Sequence, residues 1–104
     1  MPTSQTTATS NPPHDHVGLR PDVRARRLAI MRVFAAAPDG RAYTREVMAL
    51  LPLQPYVRVD LAHLSWYRLL RCISYSGGAR CFEITDKGRA LLVAAITRGE
   101  VVDA

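Results

Sequence analysis

A run of alternating apolar and polar residues around two adjacent glycines most constrains the fold of this chain. The segment 72–92 reads CISYSGGARCFEITDKGRALL, and its two adjacent glycines are Gly77 and Gly78. Alternation on both sides of a glycine pair predicts a β-hairpin with a two-residue turn. With the turn at the glycines, Ile73 lies opposite Phe82 and Tyr75 lies opposite Arg80. Ile73, Phe82 and Ile84 then share one buried face, because side chains alternate along a strand.

The second strand of this hairpin leads directly into a helix. Thr85 is a good N-cap for a helix that begins DKGRALL, and Gly99 is a good C-cap. We therefore predict a helix from Asp86 to Arg98. Its buried stripe at helical spacing consists of Leu91, Leu92, Ala95 and Ile96.

Three further helical segments precede the hairpin. Helices commonly begin with a proline in the first turn and end just before a glycine or proline, and we use these signals to set the bounds. A short strand or extended connection, 41–43, separates the first two. The predicted bounds are Pro21 to Ala37, then Arg45 to Leu51 with Thr44 as cap, then Pro55 to Leu70 or Arg71.

The third helix carries two apolar stripes rather than one. The first consists of Val57, Leu61 and Leu64, and the second of Val59, Ala62, Trp66, Leu69 and Leu70. Large aromatic residues are mostly buried, so Trp66 is assigned to the core. Between the stripes lie two polar arcs, of which we expect the one with Arg58, Ser65 and Arg68 to face outward. The other arc holds Asp60, His63, Tyr67 and Arg71.

Length and composition indicate one small domain behind a polar arm. The chain has 104 residues, and its first 20 are rich in Thr, Ser and Pro without apolar periodicity. We predict a disordered arm over 1–20 and a folded domain over 21–104. Neither a signal peptide nor a stretch of membrane-spanning length is apparent, so no membrane partner is expected.

The charge balance suits a polyanionic partner. The net charge is +5, and thirteen of the fourteen basic residues are arginine. An arginine-rich composition would explain the ratio of arginine to lysine but not the positive sign of the net charge.

Cys72 and Cys81 are expected as free thiols, with no nearby Cys/His pair for zinc. No metal or other cofactor is predicted, and without a nucleophile–base pair or a phosphate-binding glycine loop the chain is not expected to be an enzyme.

The order helix, short strand, helix, helix, hairpin, helix is a mainly α fold with a small β-hairpin, of the α+β class. It resembles the winged helix-turn-helix superfamily, in particular small prokaryotic transcriptional regulators of the MarR and PadR type. Two segments carry the resemblance: RCFEITDKGRALL at 80–92, which is similar to the aromatic-x-aliphatic-Thr-x-x-Gly-Arg segment of that group, and TREV at 44–47, which is similar to the start of its second helix.

The resemblance implies a recognition helix in the DNA major groove and a β-wing against the backbone or minor groove. Thr44 and Arg45 match positions of phosphate contact, Tyr56 and Arg58 begin the recognition helix, and Arg80 flanks the wing tip. These positions and the outward arc of the third helix together make up the candidate DNA-binding residues. They are Thr44, Arg45, Tyr56, Arg58, Ser65, Arg68 and Arg80.

Each candidate also has a purely structural interpretation. Arg58 and Arg68 either read guanine edges or are solvated surface residues. Arg45 either binds a phosphate near a helix N-terminus or simply begins that helix. Tyr56 either contacts or stacks on the nucleic acid or packs over nearby prolines, and Arg80 either contacts the DNA backbone or pairs with Tyr75 across the hairpin.

The expected function is that of a DNA-binding transcriptional regulator, a homodimer on double-stranded DNA, cytoplasmic and associated with the nucleoid. The alternative is a winged helix that serves as a protein–protein interaction module, an adaptor or phage-type modulator without sequence-specific DNA binding. Exposure of Val57, Leu61 and Leu64 would favour that alternative. A third hypothesis is a nonspecific nucleic-acid binder.

Overall fold

The computed structural model describes residues 15–76 and 79–101, with no side-chain description for 75 and 76. These residues form an α+β fold of four α-helices and a three-stranded antiparallel sheet, with a short 3-10 turn at Pro38–Gly40. In chain order the elements are α1 (Pro21–Ala36), β1 (Arg41–Tyr43), α2 (Thr44–Leu50), α3 (Val57–Trp66), β2 (Leu70–Ser76), β3 (Ala79–Ile84) and α4 (Asp86–Thr97).

The sheet has the order β1-β3-β2, so the short strand after α1 pairs with the second hairpin strand. Near the hairpin tip Tyr75 lies opposite Arg80, as predicted, whereas the Gly77-Gly78 turn lies outside the described residues. The predicted pairing of Ile73 with Phe82 is wrong. Cys72 lies opposite Phe82, and a β-bulge inserts Ile73 as an extra residue.

The bulge changes which side chains the hairpin buries. Phe82 and Ile84 are buried as expected, but Ile73 is exposed. An added residue reverses the alternation of faces along a strand, so the apolar pattern of β2 cannot continue in phase with that of β3. Both cysteines are free thiols, with Cys72 exposed and Cys81 buried.

A single apolar core fills the space between the helices and the sheet. The first stripe of α3 belongs to it, and Val57, Leu61 and Leu64 are all buried. The second predicted stripe is divided, because Leu69 and Leu70 are buried while its helical members face outward. The other large buried apolar residues are Val17, Leu28, Ile30, Met31, Phe34, Val47, Phe82, Ile84 and Leu92.

Several helix boundaries differ from those predicted, most of all for α3, which begins at Val57 and not at Pro55. Helix α3 ends at Trp66, not at Leu70 or Arg71, because the chain turns at Arg68 and enters β2. Helix α2 begins at Thr44 itself, whereas Tyr43 occupies the cap position. There the Glu46 carboxylate accepts a hydrogen bond of 2.8 Å from the Tyr43 backbone N–H, which satisfies a donor that the helix leaves unpaired.

The segment just before α1, which the sequence assigned to the arm, packs onto the domain. Val17 is fully buried, and the buried Arg24 guanidinium binds both Asp15 and Glu100 at 2.9 Å. The hydrogen bond from Arg24 is the main cause that lowers the pKa of Glu100. Burial would raise the pKa of Asp15, but hydrogen bonds from Arg24 and the Val17 N–H outweigh it and lower that pKa. The folded part therefore begins before Pro21.

A buried carboxylate joins α3 to α1. Asp60, on α3, has no exposed surface, and its two oxygens accept hydrogen bonds from Arg26 (2.6 and 3.0 Å) and Arg27 (3.0 Å). Arg27 also donates to the Val17 carbonyl at 2.8 Å. Two partly buried cations thus compensate one buried anion, and the cluster sets the rotation of α3 about its own axis.

The first turn of α4 is joined to the end of α3. The Thr85 hydroxyl accepts a hydrogen bond from the Gly88 N–H at 3.0 Å, the predicted N-cap, and donates towards the carbonyls of Arg68 (2.7 Å) and Leu69 (3.1 Å). A Cβ at Gly88 would lie 2.2 Å from the Leu69 carbonyl oxygen. The Thr-x-x-Gly pattern therefore reflects a cap and a close backbone approach. At the other end of α4 the predicted cap Gly99 has a φ of +82° and donates to the Ile96 carbonyl.

No helix in the described ranges has both the length and the apolar character required to cross a lipid bilayer.

Replacement of Asp60 by asparagine should destabilise the fold by about 3–5 kcal/mol, because it leaves two partly buried guanidinium groups without their counter-charge. The matched control is Asp22→Asn, which breaks the exposed Arg20–Asp22 pair and should cost less than about 1 kcal/mol. Urea unfolding followed by circular dichroism measures both variants. Equal effects would contradict a structural role for the buried cluster.

Gly88→Ala should destabilise the fold by about 1–3 kcal/mol, because the new Cβ collides with the Leu69 carbonyl and separates α4 from the end of α3. Helix propensity alone predicts the opposite sign, a gain of about 1 kcal/mol for alanine over glycine. The sign of the change in thermal unfolding temperature therefore shows whether the steric collision or the helix propensity dominates. A stabilised variant would contradict the close approach of Gly88 to the Leu69 carbonyl.

Candidate nucleic-acid interface

The outward face of α3 is mixed in character. Arg58, Val59, Ala62 and Trp66 are exposed, and Ser65 is half-buried beside them. The assignment of Trp66 to the core is wrong, since 81% of its surface is exposed. At 3.6 residues per turn Trp66 lies about 180° from Val57, so it cannot join the stripe that α3 buries. That spacing is the sequence signal that could have identified its exposure.

Arg68 lies beyond the end of α3, not within it. Its φ is +64°, and the Arg68 and Leu69 N–H groups donate to the carbonyls of Ser65 (3.0 Å) and Leu64 (2.9 Å). These two bonds form a Schellman motif, with Arg68 at the left-handed position where glycine is usual. Leu64 and Leu69, the apolar pair of the motif, are both fully buried. The turn projects the Arg68 side chain beside the hairpin.

A shallow groove separates the end of α3 from the hairpin, with a cavity volume of about 470 Å³. Three of its lining residues come from α3, one from the turn after it and three from the two hairpin strands. None of them is acidic. They are Ala62, Ser65, Trp66, Arg68, Cys72, Arg80 and Phe82. The groove thus brings together three of the predicted site residues, Ser65, Arg68 and Arg80, with the unpredicted Trp66 and Cys72.

Arg58 and Arg68 differ in their charge environment from the arginines that are ion-paired. Arg41 and Arg71 are both ion-paired with Glu83, whose pKa is lowered by the hydrogen bonds from Arg71 and then Arg41. Within the residues that the structure describes, no carboxylate lies within ion-pair distance of Arg58 or Arg68. The positive charge of these two exposed side chains is therefore left for an external anion.

The remaining predicted site residues lie elsewhere. Thr44 and Arg45 begin α2, where the Arg45 guanidinium lies 5.1 Å from the centre of the Tyr43 ring. Tyr56 precedes α3 and is exposed, with the Arg26 guanidinium 5.2 Å from its ring centre. None of these three lines the groove. Arg58 lies on the groove side of α3, one helical turn before Ala62.

A small ring cluster lies at the other side of α3. The His16 ring stacks on Tyr67 at 4.4 Å between ring centres, and His63 contacts both Tyr67 and the His16 carbonyl oxygen. The described residues contain no group of three or more His, Cys, Asp or Glu side chains placed to hold a metal ion. These rings attach the segment before α1 to α3.

Comparison of the chain with protein-family models, with curated proteins and with solved structures finds no match in any of the three.

Arg68→Gly should raise the free energy of unfolding by about 0.5–1 kcal/mol, because glycine adopts the left-handed conformation without the steric cost of a side chain. Arg68→Ala removes the same guanidinium but keeps that cost, so its stability should stay close to that of the native chain. Chemical unfolding of the pair measures the difference. An Arg68→Gly variant no more stable than Arg68→Ala would contradict the strained turn.

Proposed function

We propose that this protein is a DNA-binding transcriptional regulator and that its α+β fold is a winged helix-turn-helix. In this proposal α2, the turn 51–56 and α3 form the helix-turn-helix, with α3 as the recognition helix, and the β2–β3 hairpin is the wing. The order of the elements supports this assignment, as does the sheet order β1-β3-β2, in which the strand after α1 joins the hairpin.

The observation that carries the proposal is the groove beside α3 and the charge around it. Arg68 and Arg80 line the groove, whose described lining residues include no carboxylate, and Arg58 projects from α3. Phosphate contacts from such arginines position a protein on a duplex, and bidentate contacts to guanine edges supply discrimination. Ser65, in the same groove, adds a hydroxyl that can both donate and accept a hydrogen bond.

A homodimer on a two-fold symmetric site is the proposed functional form, because a single winged helix reads only one half-site. The outer faces of α1 and α4 are the proposed contact. On α4 the exposed Val93 supplies an apolar residue on that face. In this arrangement each protomer presents its own α3 to the DNA.

A protein-interaction module remains the second candidate function. The stripe that would have favoured it, Val57, Leu61 and Leu64, is buried in the core. Other apolar side chains near the helix-turn-helix are exposed, however, above all Leu53 at 94% and also Leu50. Exposed apolar side chains mark a partner surface where they form a contiguous patch.

Alanine substitution of Arg58 or Arg80 should weaken DNA binding by about 1–3 kcal/mol for a base contact, or reduce the salt dependence by about one unit for a phosphate contact. Fluorescence anisotropy of a labelled duplex over a series of salt concentrations measures both quantities. Arg20→Ala is the matched control, since it removes an exposed arginine outside the proposed surface. An affinity that does not change with salt would contradict phosphate-based binding.

Selection from random duplex DNA separates the proposed regulator from the other two hypotheses. Enrichment of a sequence that the Arg58→Ala variant no longer retains supports a sequence-specific regulator. Retention of DNA without enrichment supports a nonspecific binder, and absence of retained DNA supports the interaction module.

A further inference from the structure

Trp66 is the single tryptophan of the chain, and it stands almost fully exposed at the edge of the groove. Its neighbour across one helical turn is Ala62, whose small side chain leaves the indole face accessible from the groove. Tryptophan is highly buried on average in folded proteins, and it is enriched among the residues that contribute most to binding at interfaces. The duplex contacts proposed for Arg58, Arg68 and Arg80 do not require it.

The surroundings of Trp66 indicate the chemistry of its ligand. Arg68 and Arg80 line the same groove, and Ser65 adds a hydroxyl. Surfaces that combine an aromatic ring with flanking cations bind nucleic acids by stacking on a base while the arginines hold the adjoining phosphates. Among the residues that the structure describes, no carboxylate lines the groove to repel these phosphates. An apolar peptide would satisfy the indole but would leave the Arg68 guanidinium, which has no carboxylate within ion-pair distance among the described residues, without an anionic partner.

The bases of a fully paired duplex cannot stack on the indole ring of Trp66. Its bases are stacked on one another and present only their edges in the grooves. A planar ring stacks on a base only when that base has left the stack, as in a bulge, a frayed end or a kinked step, and the energetic cost is lowest where the base is already unpaired.

We infer that Trp66 is a base-stacking residue, and that the groove takes one nucleotide extruded from DNA held by α3 and the hairpin. The inference rests on the proposed DNA binding and adds its substrate class, duplex DNA with an unpaired base. The indole stacks on the extruded base, and Arg68 and Arg80 bind the phosphates on either side. Because every base has a π face, the site is tolerant of base identity.

The test uses three short duplexes of one sequence: fully paired, with one central bulged base, and with an abasic bulge. Fluorescence excited beyond the tyrosine band comes from Trp66 alone, so its quenching reports base stacking directly. The bulged duplex should quench this fluorescence and bind about tenfold more tightly than the paired one, within the range that single aromatic–base stacks contribute. The abasic bulge should produce neither effect.

Variants of two exposed residues assign the effect to the indole. Trp66→Ala should bind bulged and paired duplexes equally while its affinity for the paired duplex stays unchanged, and Trp66→Phe should keep part of the preference. The control is Val59→Ala, which lies on the same helix face but outside the groove. This variant should keep the full preference for the bulged duplex. Circular dichroism verifies that the variants are folded.

The outcomes separate this inference from the function on which it rests. Equal binding of all three duplexes by the native protein, with unquenched fluorescence, would overturn the base-stacking role and leave DNA binding intact. Failure to bind any of the duplexes would overturn both.

Discussion

The surface that α3 presents depends on one buried carboxylate. Asp60 lies inside the fold between α3 and α1, and its oxygens are held by Arg26 and Arg27. A charge without solvent must be paired in good geometry, so α3 has little freedom to rotate without exposing Asp60 or leaving the arginines unpaired. The same rotation buries Leu61 and turns Trp66 to the outside. The composition of the candidate interface is therefore a consequence of an ion cluster on the opposite side of the helix.

The second constraint acts at the end of α3. The chain reverses at Arg68 in a left-handed conformation, and the first turn of α4 closes over the reversal through Thr85 and Gly88. Lys87 adds a hydrogen bond to the Tyr67 carbonyl at 3.0 Å. The end of α3, the β2–β3 hairpin and the first turn of α4 thus meet at one corner of the fold. The groove lies beside this corner, so its two walls are held together by hydrogen bonds to the backbone carbonyls of residues 67–69.

Local pattern predicted much of this architecture. The Thr85 cap, the limits of α1 and α4 to within one residue, and the pairing of Tyr75 with Arg80 all follow from capping, glycine and proline placement, and alternation. The same reasoning missed the bulge at Ile73, because a bulge depends on how two strands fit together. It also placed the end of α3 too late, since residues 67–71 have no proline or glycine to stop a helix.

The candidate site was predictable only in part. Arg58, Ser65 and Arg80 were identified from the outward arc and the hairpin, whereas Trp66 was assigned to the core on the average behaviour of its residue type. By itself, the sequence determined the order and type of the elements, because caps, turns and periodicity act over a few residues. Only the tertiary structure decided which stripe of α3 is buried and which residues line the groove. That choice depends on contacts between segments far apart in the chain, such as Asp60 with Arg26 and Gly88 with Leu69.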